Sequence, residues 1–174
     1  MLYRLLLPLL LCLSTLCADD VAPKEETEAI LFDPPSGWHY GNLKDLPPSV
    51  KAMVIGKGKR EYPPSINLGM EKYGGTLKDY LKIVKRLNEE QNFAWKDLGT
   101  IPTGAGDASL SQLDMRTEWG NVRMMHVILV REGYAYVMTA AALRDEFSLY
   151  YQDFFKTMRS LRFGRVSPDQ LKNH

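Results

Sequence analysis

The sequence predicts a mixed α/β (α+β) fold in which an antiparallel sheet is sandwiched between helices, giving three α/β/α layers. Two segments carry apolar residues at helical spacing, and three consecutive segments after residue 108 read as antiparallel strands. The middle one of these strands is apolar on both faces, as in a sheet that is covered on both sides. With 174 residues, of which 45% are hydrophobic, the chain is long enough for one core, so we predict a single domain.

The first eighteen residues have the layout of a signal peptide. Arg4 precedes a leucine-rich run over residues 5–16, and Cys17-Ala18 then meet Asp19. This run is shorter than the roughly 20 apolar residues that cross a bilayer. We therefore predict a cleaved signal over residues 1–18 and an exported, periplasmic protein that is not transmembrane. A lipid anchor at Cys17 is the alternative, although Leu16 is larger than the residue that usually precedes a lipidated cysteine. Secretion from the cell is a second alternative to the periplasmic location.

The charge and cysteine content restrict the classes of partner and site. The chain has 22 Lys and Arg against 21 Asp and Glu, which argues against a nucleic-acid binder with a strongly basic surface. Both cysteines lie within residues 1–18, so the processed protein would lack a thiol nucleophile, a disulfide and a cysteine-based zinc site. We predict no cofactor.

The predicted elements follow in order after a flexible leader over residues 19–29, whose sequence is charged and lacks aromatics. The domain spans residues 30–163 and opens with a strand near Trp38, after a Pro-Pro-Ser-Gly turn. Two strands, "VKAMVI" and "SINLGMEKY", flank the loop "GKGKREYPPS". Thr76 precedes the first helix, whose apolar stripe comprises Leu77, Tyr80, Leu81, Val84 and Leu87.

Three strands and a second helix complete the predicted domain. The strands are "SLSQLDMRTE", "VRMMHVILVR" and "YAYVMTAAA", with tight turns at Gly120-Asn121 and Gly133. "GAGDAS" before them reads as a turn-rich loop. The apolar stripe of the second helix comprises Phe147, Tyr151, Phe154, Met158 and Leu161. Residues 164–174 read as a polar tail.

The histidines do not indicate a catalytic or metal site. His39 begins the first strand, His126 lies between apolar residues as a core histidine with its hydrogen bonds satisfied, and His174 ends the tail. None of the three is spaced like a pair of metal ligands. The sequence also lacks a Gly-x-Ser-x-Gly nucleophile elbow. We therefore predict that the protein is not an enzyme.

Two candidate partner surfaces contain aromatic or basic residues. Trp119 lies in a tight turn with Arg116 and Arg123 on either side, and aromatic and Arg residues dominate binding hot spots. The alternative is that the Trp119 ring folds back over its own hairpin. The second candidate is the loop with Lys57, Lys59 and Arg60, which lacks the glycine spacing of a phosphate-binding loop and reads as solvated.

The order of elements resembles the PsbP-like superfamily over about residues 30–163. The residues that carry this resemblance are Gly37-Trp38, Thr76-Leu77 and the closing run Ser160-Leu161-Arg162-Phe163. The superfamily includes the photosystem II protein PsbP, DcrB-type bacterial envelope proteins and a nuclear Ran-binding protein. The resemblance implies an α/β/α sandwich and a role in binding or assembly without catalysis, but it does not identify a partner.

We therefore predict an exported, non-catalytic binding or assembly module of the bacterial cell envelope that acts through protein–protein contacts with an envelope partner. One alternative is a small-ligand carrier with a pocket between sheet and helix. Another is an enzyme with scattered site residues around His39 or His126. An exposed aromatic patch would favour the partner-binding module, and a roomy apolar cavity would favour the carrier. A cleft with convergent polar groups would favour the enzyme.

Overall fold

The structure, a computed structural model, describes residues 27–166, which form two antiparallel sheets and two α-helices. The smaller sheet pairs β1 (Thr27–Leu31) with β9 (Arg162–Val166). The larger sheet has seven strands in the order β2-β3-β4-β8-β7-β6-β5. Their bounds are β2 His39–Tyr40, β3 Val50–Ile55, β4 Ser65–Lys72, β5 Ala94–Thr103, β6 Gly106–Thr117, β7 Gly120–Arg131 and β8 Tyr134–Leu143. The helices are α1 (Leu77–Glu90) and α2 (Phe147–Arg159), with a 3-10 turn at Leu43–Asp45.

Helix α1 begins where the sequence predicts and covers one face of the large sheet. The Thr76 hydroxyl accepts a hydrogen bond from the Asp79 amide at 3.2 Å, which satisfies one of the free amides of the first turn. Tyr80 is buried and packs against Ile128 and Ala135 of β7 and β8. Leu77, Leu81 and Val84 of the predicted stripe are partly buried, but Leu87 is 51% exposed, so this helix rests on the sheet along a stripe narrower than predicted.

Helix α2 covers the opposite face and carries the main core. Phe154 and Met158 are fully buried against residues such as Val127 and Met138. Trp38 packs edge-on against Phe154 at 6.0 Å between ring centroids. A Cβ at Gly56 would lie 2.6 Å from the Trp38 ring, so glycine is required for this close approach. The stretch around Trp38 therefore has a structural role.

The strand β7 is buried on both faces, as its sequence predicts. Met125, Val127 and Leu129 contact the core beneath α2, while Val122 and Ile128 belong to clusters on the other face. The hairpin turns on either side contain Gly120 and Gly133 with positive φ. The antiparallel sheet between two helices confirms the predicted three-layer fold.

The structure corrects the predicted elements in several places. Residues 27–29 of the predicted leader belong to β1, and residues 164–166 of the predicted tail belong to β9, because these two segments pair with each other. Strand β5 was not predicted at all, and β6 begins at Gly106, inside the stretch read as a loop. Tyr151, assigned to the buried stripe of α2, is 49% exposed. It lies at the margin of the stripe, beside a groove described below.

The predicted signal peptide, Cys17, His174 and most of the predicted leader and tail lie outside the described residues. Neither helix within residues 27–166 is both long and apolar enough to cross a membrane.

Candidate functional site

Trp119 lies at the tip of the β6–β7 hairpin and keeps 46% of its surface exposed. Its ring packs on Tyr62 of the β3–β4 loop, with ring centroids 5.6 Å apart. Tyr62 in turn packs against a cluster of Val122, Ala141 and Leu143 on the α1 side of the sheet. The two predicted candidate surfaces, the hairpin tip and the basic loop, are therefore in contact.

Arg123 does not share a surface with the Trp119 ring. It faces the α2 side of the sheet, where its guanidinium donates two hydrogen bonds of 2.8 Å to the Asp114 carboxylate. This ion pair is half-buried and lowers the pKa of Asp114, chiefly through the hydrogen bonds from Arg123. Arg116 is exposed and shares this side of β6 with Asp114, because alternate residues of a strand face the same way. The structure thus separates both arginines from the tryptophan.

Arg60 forms ion pairs that connect the β3–β4 loop to the start of α2. Its guanidinium pairs with Asp145 and donates a hydrogen bond of 2.8 Å to the buried Glu146. These contacts raise the pKa of Arg60, with the Asp145 hydrogen bond as the largest cause. Lys57 and Lys59 are exposed, and the Lys57 carbonyl accepts a hydrogen bond from the Tyr150 hydroxyl at 3.3 Å. Arg60 therefore stabilises the loop. Of the three basic residues predicted as a candidate surface in this loop, Lys57 and Lys59 are the two whose side chains face solvent without this structural role.

A groove of about 680 Å³ runs between α2 and strands β5–β7, and we call it the α2 groove. Its apolar lining comes from Leu98, Phe147, Leu149, Tyr151 and Phe155. Leu149 is 62% exposed, and Leu98 is also exposed beside it. Tyr151 and Phe155 stack with their ring centroids 4.4 Å apart. The α2 groove thus places several large apolar side chains in contact with solvent.

Basic side chains surround the α2 groove. Arg144 lines it and lies 3.5 Å from Asp114, which already binds Arg123. A smaller groove of about 340 Å³ continues past Tyr151 to Lys156 and Arg159. The Arg159 guanidinium lies 5.4 Å from the centroid of the Phe155 ring, within cation–π distance. The apolar surface therefore has a predominantly basic rim.

Sequence reasoning missed the α2 groove for two local reasons. Leu98 lies in β5, which was not predicted as a strand, next to a register shift between Asp97 and Gly99. Tyr151 fits the helical periodicity of the core stripe and was assigned to the core. The signal that could have revealed it is the pair Leu149 and Tyr151, which are two residues apart in a helix and therefore cannot both lie on one buried stripe.

The two described histidines are placed differently. His39 is exposed on the short edge strand β2. His126 lies in the middle of β7, and burial lowers its pKa to about 4. Its Nδ1 has no hydrogen-bond partner among residues 27–166, where the sequence predicts a core histidine with its hydrogen bonds satisfied. Across residues 27–166, no three acidic or histidine side chains are arranged to hold a metal ion.

No family model matches the sequence, and no curated protein matches it either. Solved structures do match the fold. LpqN of Mycobacterium tuberculosis, described as involved in cell envelope biogenesis, is 17% identical with a TM-score of 0.53, over 84% of this chain and 88% of LpqN. The Ran-binding protein Mog1p of Saccharomyces cerevisiae is 14% identical with a TM-score of 0.53, over 85% of this chain and 98% of Mog1p.

The cyanobacterial PsbP protein of Synechocystis, CyanoP, is 12% identical with a TM-score of 0.50, over 83% of this chain and 96% of CyanoP. These identities are too low to transfer a function, but each similarity extends over most of both chains. The similarity confirms that the chain has the PsbP-like α/β/α fold that its sequence resembles.

Proposed function

We propose that this protein is an exported, non-catalytic binding or assembly module of the bacterial cell envelope, and that the α2 groove is its main contact surface for a protein partner. The observation that carries the proposal is the group of exposed apolar side chains in the groove, above all Leu149 and Tyr151. Large exposed apolar patches with a polar rim are typical of interaction sites.

The composition of the groove supports a protein partner. Aromatic and Arg side chains are enriched among the residues that contribute most of the binding energy at interfaces. The α2 groove combines Tyr151 and Phe155 with Arg144, and Arg159 extends the same surface. It lies open along α2, whereas a small-ligand carrier would be expected to enclose its ligand in an apolar cavity.

The charges of the rim indicate the chemistry of the partner. Arg123 is neutralised by Asp114, which leaves Arg144, Lys156 and Arg159 against Asp153 around the two grooves. A partner segment with apolar anchors and neighbouring acidic residues would complement this surface. Opposite charges of this kind mainly increase the association rate and the specificity.

The envelope location rests on the signal-like residues 1–18 and on the likeness to LpqN, which is described as involved in cell envelope biogenesis. Because the identity to LpqN is 17%, the envelope location is itself a part of our proposal.

The experiment is capture of the partner from the native envelope with the wild-type protein and with Leu149→Asp. A matched control is Leu87→Asp on α1, because Leu87 is 51% exposed and lies on the other face of the sheet. We expect Leu149→Asp to lose the captured partner and Leu87→Asp to retain it, with both melting temperatures close to wild type.

Equal capture by the wild-type and Leu149→Asp proteins would contradict a role for the α2 groove. In that case Trp119→Ala tests the hairpin tip, because this substitution leaves the ion pair between Arg123 and Asp114 intact. Loss of capture by Trp119→Ala at an unchanged melting temperature would assign the contact to the hairpin tip.

A further inference from the structure

Four uncharged polar side chains form a continuous row across the middle of the large sheet, on the α1 side. Asn67 on β4 is directly opposite Thr139 on β8, Thr139 is opposite His126 on β7, and His126 is opposite Ser111 on β6. With strands about 4.8 Å apart, the row is about 14 Å long. We call these four residues the polar row. Asp97 of β5 continues it at the sheet edge.

The polar row interrupts an otherwise apolar surface. On one side of it, α1 covers Ile128 and Val137, and on the other side Tyr62 covers Ala141 and Met124. These are two separate clusters, and the polar row lies between them. Each of the four strands therefore places one polar residue at the same height along the sheet. This height lies between the part of the sheet that α1 covers and the part that Tyr62 covers. A break in the apolar pattern at one level of adjacent strands is typical of a functional site.

The side chains of the polar row form no hydrogen bond with other described residues. Ser111 is only 1% exposed, yet its hydroxyl has no partner, and the buried Nδ1 of His126 has none either. The indole N–H of Trp95 is a third buried group without a partner. Trp95 pairs with Leu113, which is two residues from Ser111 on the same face of β6. Buried polar groups are nearly always paired, so these three call for a partner that is not among residues 27–166, such as water or a bound ligand.

The chemistry of the polar row selects the kind of ligand. Amide, hydroxyl and imidazole groups both donate and accept hydrogen bonds, and the row contains no cation that would bind an anion. Asp97 is the one charged side chain in line with it, and its carboxylate accepts a hydrogen bond from the Gly99 amide. The indole of Trp95 adds an aromatic surface and a donor. We propose that the polar row binds a neutral, hydroxyl-rich ligand about 14 Å long, such as a short oligosaccharide.

This site is independent of the proposed partner surface, because the polar row and the α2 groove lie on opposite faces of the sheet. Ser111 is buried and Trp95 is partly buried, so binding requires the side chains around these two residues to move. The partly exposed apolar residues of α1, including Leu87, are consistent with a cover that is not tightly packed.

The test is an NMR titration of the processed protein with maltotriose and, separately, with chitotriose, observing the indole N–H of Trp95. We expect a saturable shift with at least one of these sugars. Ser111→Ala combined with Thr139→Val should weaken the affinity by about tenfold or more, because two hydrogen-bonding groups are lost. The melting temperature of this double variant should be equal to or higher than that of the wild type, because the unpaired buried hydroxyl of Ser111 is removed.

Two matched controls locate the site. Ser109→Ala removes another buried serine on the same face of β6 but outside the polar row, and it should leave the affinity unchanged. Leu149→Asp should also leave it unchanged, which separates this site from the α2 groove.

Three results would overturn the proposal. The first is the absence of a saturable shift with both sugars, and the second is a shift that the double variant does not weaken. The third is a lower melting temperature of the double variant, which would mean that the two hydroxyls have a structural role, such as holding internal water.

Discussion

Acidification is expected to destabilise the protein through His126, and His126→Gln should remove that effect. The pKa of His126 is lowered by burial from 6.5 to about 4 in the folded protein. In the unfolded chain the imidazole is exposed and protonates near pH 6.5. The unfolded state therefore binds the proton more readily, and stability falls as the pH drops from about 6.5 towards 4.

The size of the effect follows from this difference in pKa. Between pH 7 and pH 4.5, the wild type should lose about 2–3 kcal/mol of unfolding free energy through His126 alone. Carboxylates with lowered pKa, such as Asp114, lose their contribution mainly at lower pH. The assay is urea denaturation at a series of pH values, with His39→Gln as a control at an exposed position. A wild type and a His126→Gln variant with the same pH dependence would refute the reasoning.

Three further outcomes are expected. Phe154→Ala should lower the free energy of unfolding, measured by urea denaturation, by about 3–5 kcal/mol, because it leaves a cavity at a fully buried position. Tyr151→Ala, on the exposed margin of the same helix, should lower the free energy of unfolding much less. Thr76→Ala should lower it by about 1 kcal/mol, because the first turn of α1 loses its cap, and an unchanged value would show that the cap is dispensable. Mass spectrometry of the exported protein should show an N-terminus near Asp19, whereas a diacylglyceryl group on Cys17 would identify a lipoprotein.

Elements with strong local signals could be predicted from the sequence. Helix α1 has an N-cap at Thr76 and a clear apolar stripe, and the strands β6–β8 have tight turns at Gly120 and Gly133. These features depend on residues that are close in the chain. Strand β5 was missed because Gly99 and Pro102 read as loop residues, although an edge strand tolerates a bulge and a proline.

The candidate sites were harder to predict because they depend on contacts between distant segments. Trp119 was recognised as exposed at a tip, but its contact with Tyr62 joins two loops that no sequence pattern links. The α2 groove requires Leu98 and Leu149 to come together. The polar row requires the register of four strands, since Ser111 and Thr139 are unremarkable within their own strands.

Because β4 pairs with β8, the centre of the sheet forms only after most of the chain is available. Residues 65–72 pair with residues 134–141, and the strands between them lie on the far side of β8. Strand β1 pairs with β9 at the opposite end of the described chain. Loop closure over such distances slows folding, and an N-terminal fragment ending before β8 would lack the partner of β4. The sheet cannot be completed before residues 134–143 have been synthesised, so a chain that is exported during synthesis would enter the export channel without a finished core.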